Sequence, residues 1–238
     1  MSRVMAGRML ATVVAGMVVA GAAEGAYAAQ INGTPGDDRV RGTRQADVID
    51  GQSGDDRIGA GEGPDTVTAG EGADRVWGRW GADRLFGGPG NDRLWGGLGN
   101  DQDWGEDGDD LMGGGNGNDR QYGGPGNDTI YAGRGNDETW GDDGDDTLWA
   151  LARRDVHGPN DTQGDVLHGG PGNDTFKTRD GEQDLVDCGP GVDTALIDFR
   201  DVLANPAECE VVNRARRAQK GEDRRESVDP RDEVGSRD

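Results

Sequence analysis

Gly87-Gly88-Pro89-Gly90-Asn91-Asp92-Arg93-Leu94-Trp95 is one of thirteen consecutive nonapeptides that run from Gly33 to Trp149 without an insertion or deletion. Aligned on their acid, the units carry Asp38, Asp47, Asp56, Asp65, Asp74, Asp83, Asp92, Asp101, Asp110, Asp119, Asp128, Asp137 and Asp146, all at a spacing of nine. With this Asp counted as place six, place four is Gly in twelve units, Gln45 being the exception. Place one is Gly in ten units and Ala in three (Ala60, Ala69, Ala132). A period held in phase this long marks a stacked repeat, in which each unit buries its apolar face only against its neighbours.

Each unit divides into a six-residue turn and a three-residue strand. Gly at places one, two and four is expected to supply φ > 0 and fold the carbonyls inward. Asn or Asp at place five (Asp37, Asp55, Asn91, Asn100, Asn118, Asn127, Asn136) suits left-handed turn geometry. Strands so short hold only when stacked on others about 4.8 Å away. With two nonapeptides per coil, odd and even units build different sheets. Place eight of the odd units reads Val40, Ile58, Val76, Leu94, Met112, Ile130 and Leu148, all apolar. The even units read Ile49, Val67 and Leu85, then Asp103, Gln121 and Thr139. This super-period favours a two-sheet roll over a triangular helix. It leaves two readings of the polar trio: a wetter middle of one sheet, or Trp104, Tyr122 and Trp140 turned inward instead.

The whole chain agrees with a fold not held by a conventional core. Its 238 residues include 45 Gly, only 32% are hydrophobic, and the formal net charge is −22. Such a chain buries too little apolar surface to offset its conformational entropy. The excess acid argues against nucleic acid as a partner and favours cations. Stacked turns bring the fixed Asp of alternate units together, and unit charges about 5 Å apart repel by roughly 3 kcal/mol at an effective dielectric of 20. A hard cation reverses that sign. Ca²⁺ takes six to eight oxygens and accepts carboxylates mixed with backbone carbonyls, whereas Mg²⁺ fits an all-protein cage poorly. Zn²⁺ and copper call for His or Cys, which the array lacks. Pairing each unit with the next on its own edge gives about eleven possible calcium sites.

The nonapeptide resembles the hemolysin-type calcium-binding (RTX) repeat family of secreted bacterial proteins. The resemblance implies an all-β, right-handed parallel β-roll, a two-sheet β-solenoid, with Ca²⁺ as cofactor and the fixed Asp residues as ligands. Asp165, Asp174 and Asp193, in looser units, join that ligand set. The segment Asp180 to Val211 is similar to the closing module of such proteins. It suits a cap over the last open strand edge, pinned by a disulfide between Cys188 and Cys209, the natural state of an isolated pair in an oxidising compartment.

Place nine turns aromatic partway along: Trp77, Phe86, Trp95, Trp104, Tyr122, Tyr131, Trp140 and Trp149, with Gly113 the only gap. With place eight inward these rings point outward. They form either a cross-strand ladder, a surface for cell-surface glycan, or a face that pairs with another copy. Arg39, Arg57, Arg75, Arg84, Arg93 and Arg120 at place seven are positioned to stack on them.

The N-terminus reads as a signal peptide over 1–28: Arg3 and Arg8, an apolar Met9 to Ala23, then Ala26-Tyr27-Ala28. No membrane span is expected once it is removed. The roll is assigned to 29–149, an irregular loop to 150–168, final repeats and cap to 169–212, and a disordered charged tail to 213–238. His157 and His168 flank the irregular stretch and read as lone surface residues. No catalytic constellation is recognisable. The sequence therefore points to a secreted, extracellular, non-enzymatic calcium-binding protein that folds on Ca²⁺. The alternative is an adhesion or glycan/cell-wall-binding module using the aromatics.

Overall fold

The computed structural model describes residues 9–10, 18–19, 29–150 and 164–214. Most of the leader, His157 with the rest of 151–163, and the tail from 215 onward lie outside the described residues. The described chain is all-β, a solenoid of two eleven-stranded sheets in which each strand pairs in parallel with the strand one coil away. Odd and even units separate as the 18-residue super-period requires. One sheet stacks Ile31, Ile49, Val67, Leu85, Asp103, Gln121, Thr139, Leu167, Val186 and Leu203 in register. The other stacks Val40, Ile58, Val76, Leu94, Met112, Ile130, Leu148, Phe176, Ala195 and Val212. The two columns face each other as a thin core, nearly all of it buried.

Strand length departs from the sequence expectation. In the odd-unit sheet, Arg57–Glu62, Arg75–Trp80, Arg93–Leu98, Leu111–Asn116 and Thr129–Arg134 each run six residues. They continue through the following turn, pairing Glu62 with Trp80, Trp80 with Leu98 and Leu98 with Asn116. At the opposite turn edge place three is often Pro (Pro35, Pro89, Pro125), whose missing N–H cannot extend a ladder.

The polar trio points inward. Asp103, Gln121 and Thr139 are at most 1% exposed, while Trp104, Tyr122 and Trp140 stay outside. Thr139 donates to Gln121 Oε1 at 3.4 Å, but both carboxylate oxygens of Asp103 and Nε2 of Gln121 have no partner. An unmet buried polar group costs about 1–3 kcal/mol. Asp103→Leu, which continues the column from Leu85, should therefore stabilise the calcium-loaded roll by about 1–3 kcal/mol, read as a raised thermal midpoint. An unchanged or lowered midpoint would mean that Asp103 has a partner in solution.

Beyond the strict array the stack does not break. Glu138–Trp140 pairs with Val166–His168, and Thr147–Trp149 with Thr175–Thr178. Val166–His168 thus belongs to the sheet, not to the irregular segment. Asn213 and Arg214 likewise belong to a strand, Val211–Arg214, and not to the tail. Near this end Cys188 and Cys209 form a disulfide with Cα atoms 5.5 Å apart. At the other end Met9–Leu10 and Val18–Val19, inside the apolar leader, lie parallel to Ala29–Asn32 and Arg39–Arg41.

Candidate metal centre

The turns explain the glycine pattern in two ways. From the third unit on the backbone is left-handed at places two and four, as at Gly97 (φ 115°) and Gly90 (φ 149°). Among the described residues four non-glycine residues accept φ > 0, namely Gln52, Arg79, Glu106 and Asp142, and all stand at place two. Place one is different. Its glycines lie outside the left-handed region, contrary to expectation, and are required for space. A Cβ on Gly96 would stand 2.5 Å from Asp101 Oδ2 and 2.7 Å from the carbonyl oxygen of Gly114 in the next coil. At Gly78 the corresponding distances are 2.5 Å to Asp83 Oδ2 and 2.6 Å to the Gly96 carbonyl. A carboxylate oxygen and a carbonyl oxygen of the next coil thus converge on each such cradle. Ala60, Ala69 and Ala132 set a methyl group at this place in three units.

Place five also works differently from its sequence reading. None of Asp37, Asp55, Asn91, Asn100, Asn118, Asn127 and Asn136 has φ > 0. Their side chains run a ladder on the surface: Asp55 N–H donates to Asp37 Oδ1 at 3.0 Å, and Asn118 N–H to Asn100 Oδ1 at 2.9 Å.

The fixed Asp residues are buried in their turns, and their Oδ1 atoms form a second ladder of opposite direction. The N–H of Asp74 donates to Asp92 Oδ1 at 2.7 Å, and that of Asp92 to Asp110 Oδ1 at 2.7 Å. The ladder crosses the irregular segment, from Asp137 to Asp165 at 3.0 Å and from Asp146 to Asp174 at 2.9 Å. It then reaches three residues the repeat pattern did not assign, Asp184, Asp201 and Glu210, through the N–H groups of Asp165, Asp184 and Asp193. Spacings of 19 and 17 in place of 18 hid these members; the nine residues between Asp184 and Asp193 were the available signal.

The second oxygen is what distinguishes the column. In the first two units it is used by the protein: Thr34 N–H and hydroxyl donate to Asp38 Oδ2 at 2.6 and 2.9 Å, and Thr43 N–H to Asp47 Oδ2 at 2.6 Å. In every unit from Asp56 to Asp128, and at Asp146, Asp174, Asp184 and Asp193, Oδ2 is buried without a hydrogen-bond partner. Burial pushes these carboxyls up despite the opposing backbone N–H. Asp92 rises to about 7, with Asp110 and Asp74 adding like charge, and Asp101 and Asp128 rise to about 8. Among the described residues no three His, Cys, Asp or Glu side chains converge on one point. An ion held here must take carboxylates from neighbouring coils and complete its shell with turn carbonyls, a donor set that fits Ca²⁺.

Seven of the eight aromatics lie outward and part-exposed, as place nine implies, but with their faces turned on each other; Trp149, expected outward, is instead buried at 8% exposure beneath Lys177. Phe86, Trp104, Tyr122, Trp140 and His168 stack in one continuous column with centroids 4.4–5.6 Å apart and planes within 9°. Trp77 stacks on Trp95 and Tyr131 on Trp149, on either side of Gly113. The cation over a ring is Lys177, 3.7 Å from the Trp149 centroid, and none of the place-seven arginines. A rung neighbour lies about 4.8 Å away, whereas places seven and nine of one strand stand about 6.8 Å apart. Arg120 instead meets Glu138 across its rung at 3.1 Å. His168 Nδ1 lies 3.4 Å from Asp187 Oδ2.

A family model for the RTX calcium-binding nonapeptide repeat (4 copies) matches residues 32–67, 59–94, 68–103, 77–112, 86–121, 113–148 and 161–182. No curated protein matches the chain.

Proposed function

Since this chain belongs to the RTX calcium-binding nonapeptide repeat family, we propose that it is an exported, non-enzymatic protein whose roll forms when external Ca²⁺ fills the turns. The carrying observation is the column of buried Oδ2 atoms without protein partners, most of them beside a glycine cradle, as at Asp56, Asp83, Asp92, Asp101, Asp110, Asp119 and Asp128. Without a cation these oxygens are desolvated for nothing; with one they become ligands. Sites of this kind in extracellular modules have Kd near 10⁻⁴–10⁻³ M, so they stay empty at cytosolic calcium and fill outside. The apolar leader and the Cys188–Cys209 disulfide both suit export to an oxidising compartment.

The ring geometry favours the ladder over a glycan platform. A sugar stacks on an open aromatic face, and the faces within the Phe86–His168 column are already taken by one another.

Calcium titration followed by circular dichroism, with Mg²⁺ as control, tests the reading. Asp92→Ala removes one ligand from the middle of an edge and should disturb two neighbouring sites. The calcium midpoint should rise about two- to tenfold with reduced cooperativity and the fold retained at saturation. A variant identical to wild type in midpoint and stoichiometry would remove the fixed Asp from the ligand set.

A further inference from the structure

We propose that the two ends of the roll are complementary and join copies of this chain head to tail once the leader is removed, giving a calcium-dependent filament. The inference rests on the reading of the chain as an exported calcium-dependent roll. At the N-terminal end, Ala29–Asn32 and Arg39–Arg41 are strand edges that accept parallel partners, since Met9–Leu10 and Val18–Val19 lie on them. Cleavage after Ala28 would uncover both edges together. At the C-terminal end, the last described strands Val202–Leu203 and Val211–Arg214 are each paired on one side only. All four residues of Val211–Arg214 are exposed, and Val202, Val211 and Val212 are 43%, 51% and 39% exposed.

A second copy fits this gap in polarity, order and chemistry. Every pairing between described strands is parallel, and successive strands alternate between the two sheets. Val202–Leu203 therefore precedes the Ala29–Asn32 strand of a following copy in one sheet, and Val211–Arg214 precedes Arg39–Arg41 in the other. The inward column continues from Leu203 to Ile31 and from Val212 to Val40, apolar on apolar. The carboxylate ladder points the same way. Each fixed Asp receives at Oδ1 an N–H from the coil before it, but Asp38 Oδ1 is buried without a partner. Glu210, the last member of that column, carries the N–H that a following Asp38 would accept.

The end face of so thin a roll is small beside the roughly 1,200 Å² of a stable interface, so the contact alone is weak. The junction adds one hydrogen bond, from the Glu210 N–H to the buried Oδ1 of the following Asp38, in the relation that neighbouring Asp residues hold inside the roll. Heterologous contacts that do not close build open filaments.

Sedimentation velocity with Ca²⁺ on the chain beginning at Ala29, on the full chain, and on the Ala29 chain carrying Val202→Lys/Val212→Lys tests this, with circular dichroism on the same samples. The expected result is a concentration-dependent rise of about twofold or more in weight-average mass for the Ala29 chain alone, reversed by EGTA. Assembly in the lysine variant, or equally in the full chain, would mean lateral association and overturn the proposal. So would a monodisperse Ala29 chain with its calcium-induced dichroism intact. Absence of that dichroism in every sample would instead sink the calcium-dependent fold, and the junction with it.

Discussion

Removing calcium with EGTA near neutral pH should collapse the amide dispersion of an NMR spectrum and abolish the β-sheet dichroism, with Mg²⁺ failing to restore either. The two turn edges carry the fixed Asp residues coil above coil, and from Asp56 to Asp128 each is buried and points one oxygen at no protein donor. Even with part of the column protonated, repulsion of roughly 3 kcal/mol per ionised neighbour pair soon exceeds the about 5–15 kcal/mol that holds an ordinary domain together. The apolar columns cannot compensate, because one residue per nonapeptide is all they receive and the even-unit column loses three of those to Asp103, Gln121 and Thr139. A dispersed spectrum in EGTA would overturn the central claim about this fold.

Acid should partly replace the metal. The carboxyls of Asp56, Asp92, Asp110, Asp119, Asp146 and Asp174 are raised by burial to about 7, and those of Asp65, Asp101 and Asp128 to about 8. In the unfolded chain an Asp titrates near 3.9. Between those values the folded state binds more protons than the unfolded one, so the stability of the calcium-free roll falls as pH rises. That contribution is fully present below about pH 4 and lost above about pH 8. The calcium-free chain should therefore regain sheet dichroism on titration from about pH 8 to about pH 4. Protons also compete with Ca²⁺ for the same oxygens, so the calcium midpoint should rise by about tenfold or more between pH 8 and pH 6. A midpoint flat across that range would mean that the raised carboxyls are not ligands.

Much of this arrangement was readable from residue spacing. The phase of nine gave the stack, and the contrast between the Val40–Leu148 and Ile49–Thr139 columns gave two sheets, because alternation along a strand is a local property. What spacing could not show was how backbone and side chains share space between coils. Asp103 could be assigned inward only from packing, since its neighbour Trp104 is the better core residue by hydropathy yet gains more by stacking between Phe86 and Tyr122. The glycines at place one look the same in sequence as those at places two and four, but a carbonyl oxygen from the next coil demands the first and backbone rotation the others. Asp184, Asp201 and Glu210 escaped because the count slips by one residue while the hydrogen-bond ladder does not.

The ladder's passage from Asp137 to Asp165 spans 28 residues where a regular coil takes 18. Each coil is therefore aligned by the carboxylate it touches and not by its distance along the chain. A scaffold aligned in that way can carry a passenger at this turn, lengthened or exchanged, while the coils on both sides keep their alignment. The number of residues between two coils can thus differ from eighteen while the carboxylate register on both sides is kept.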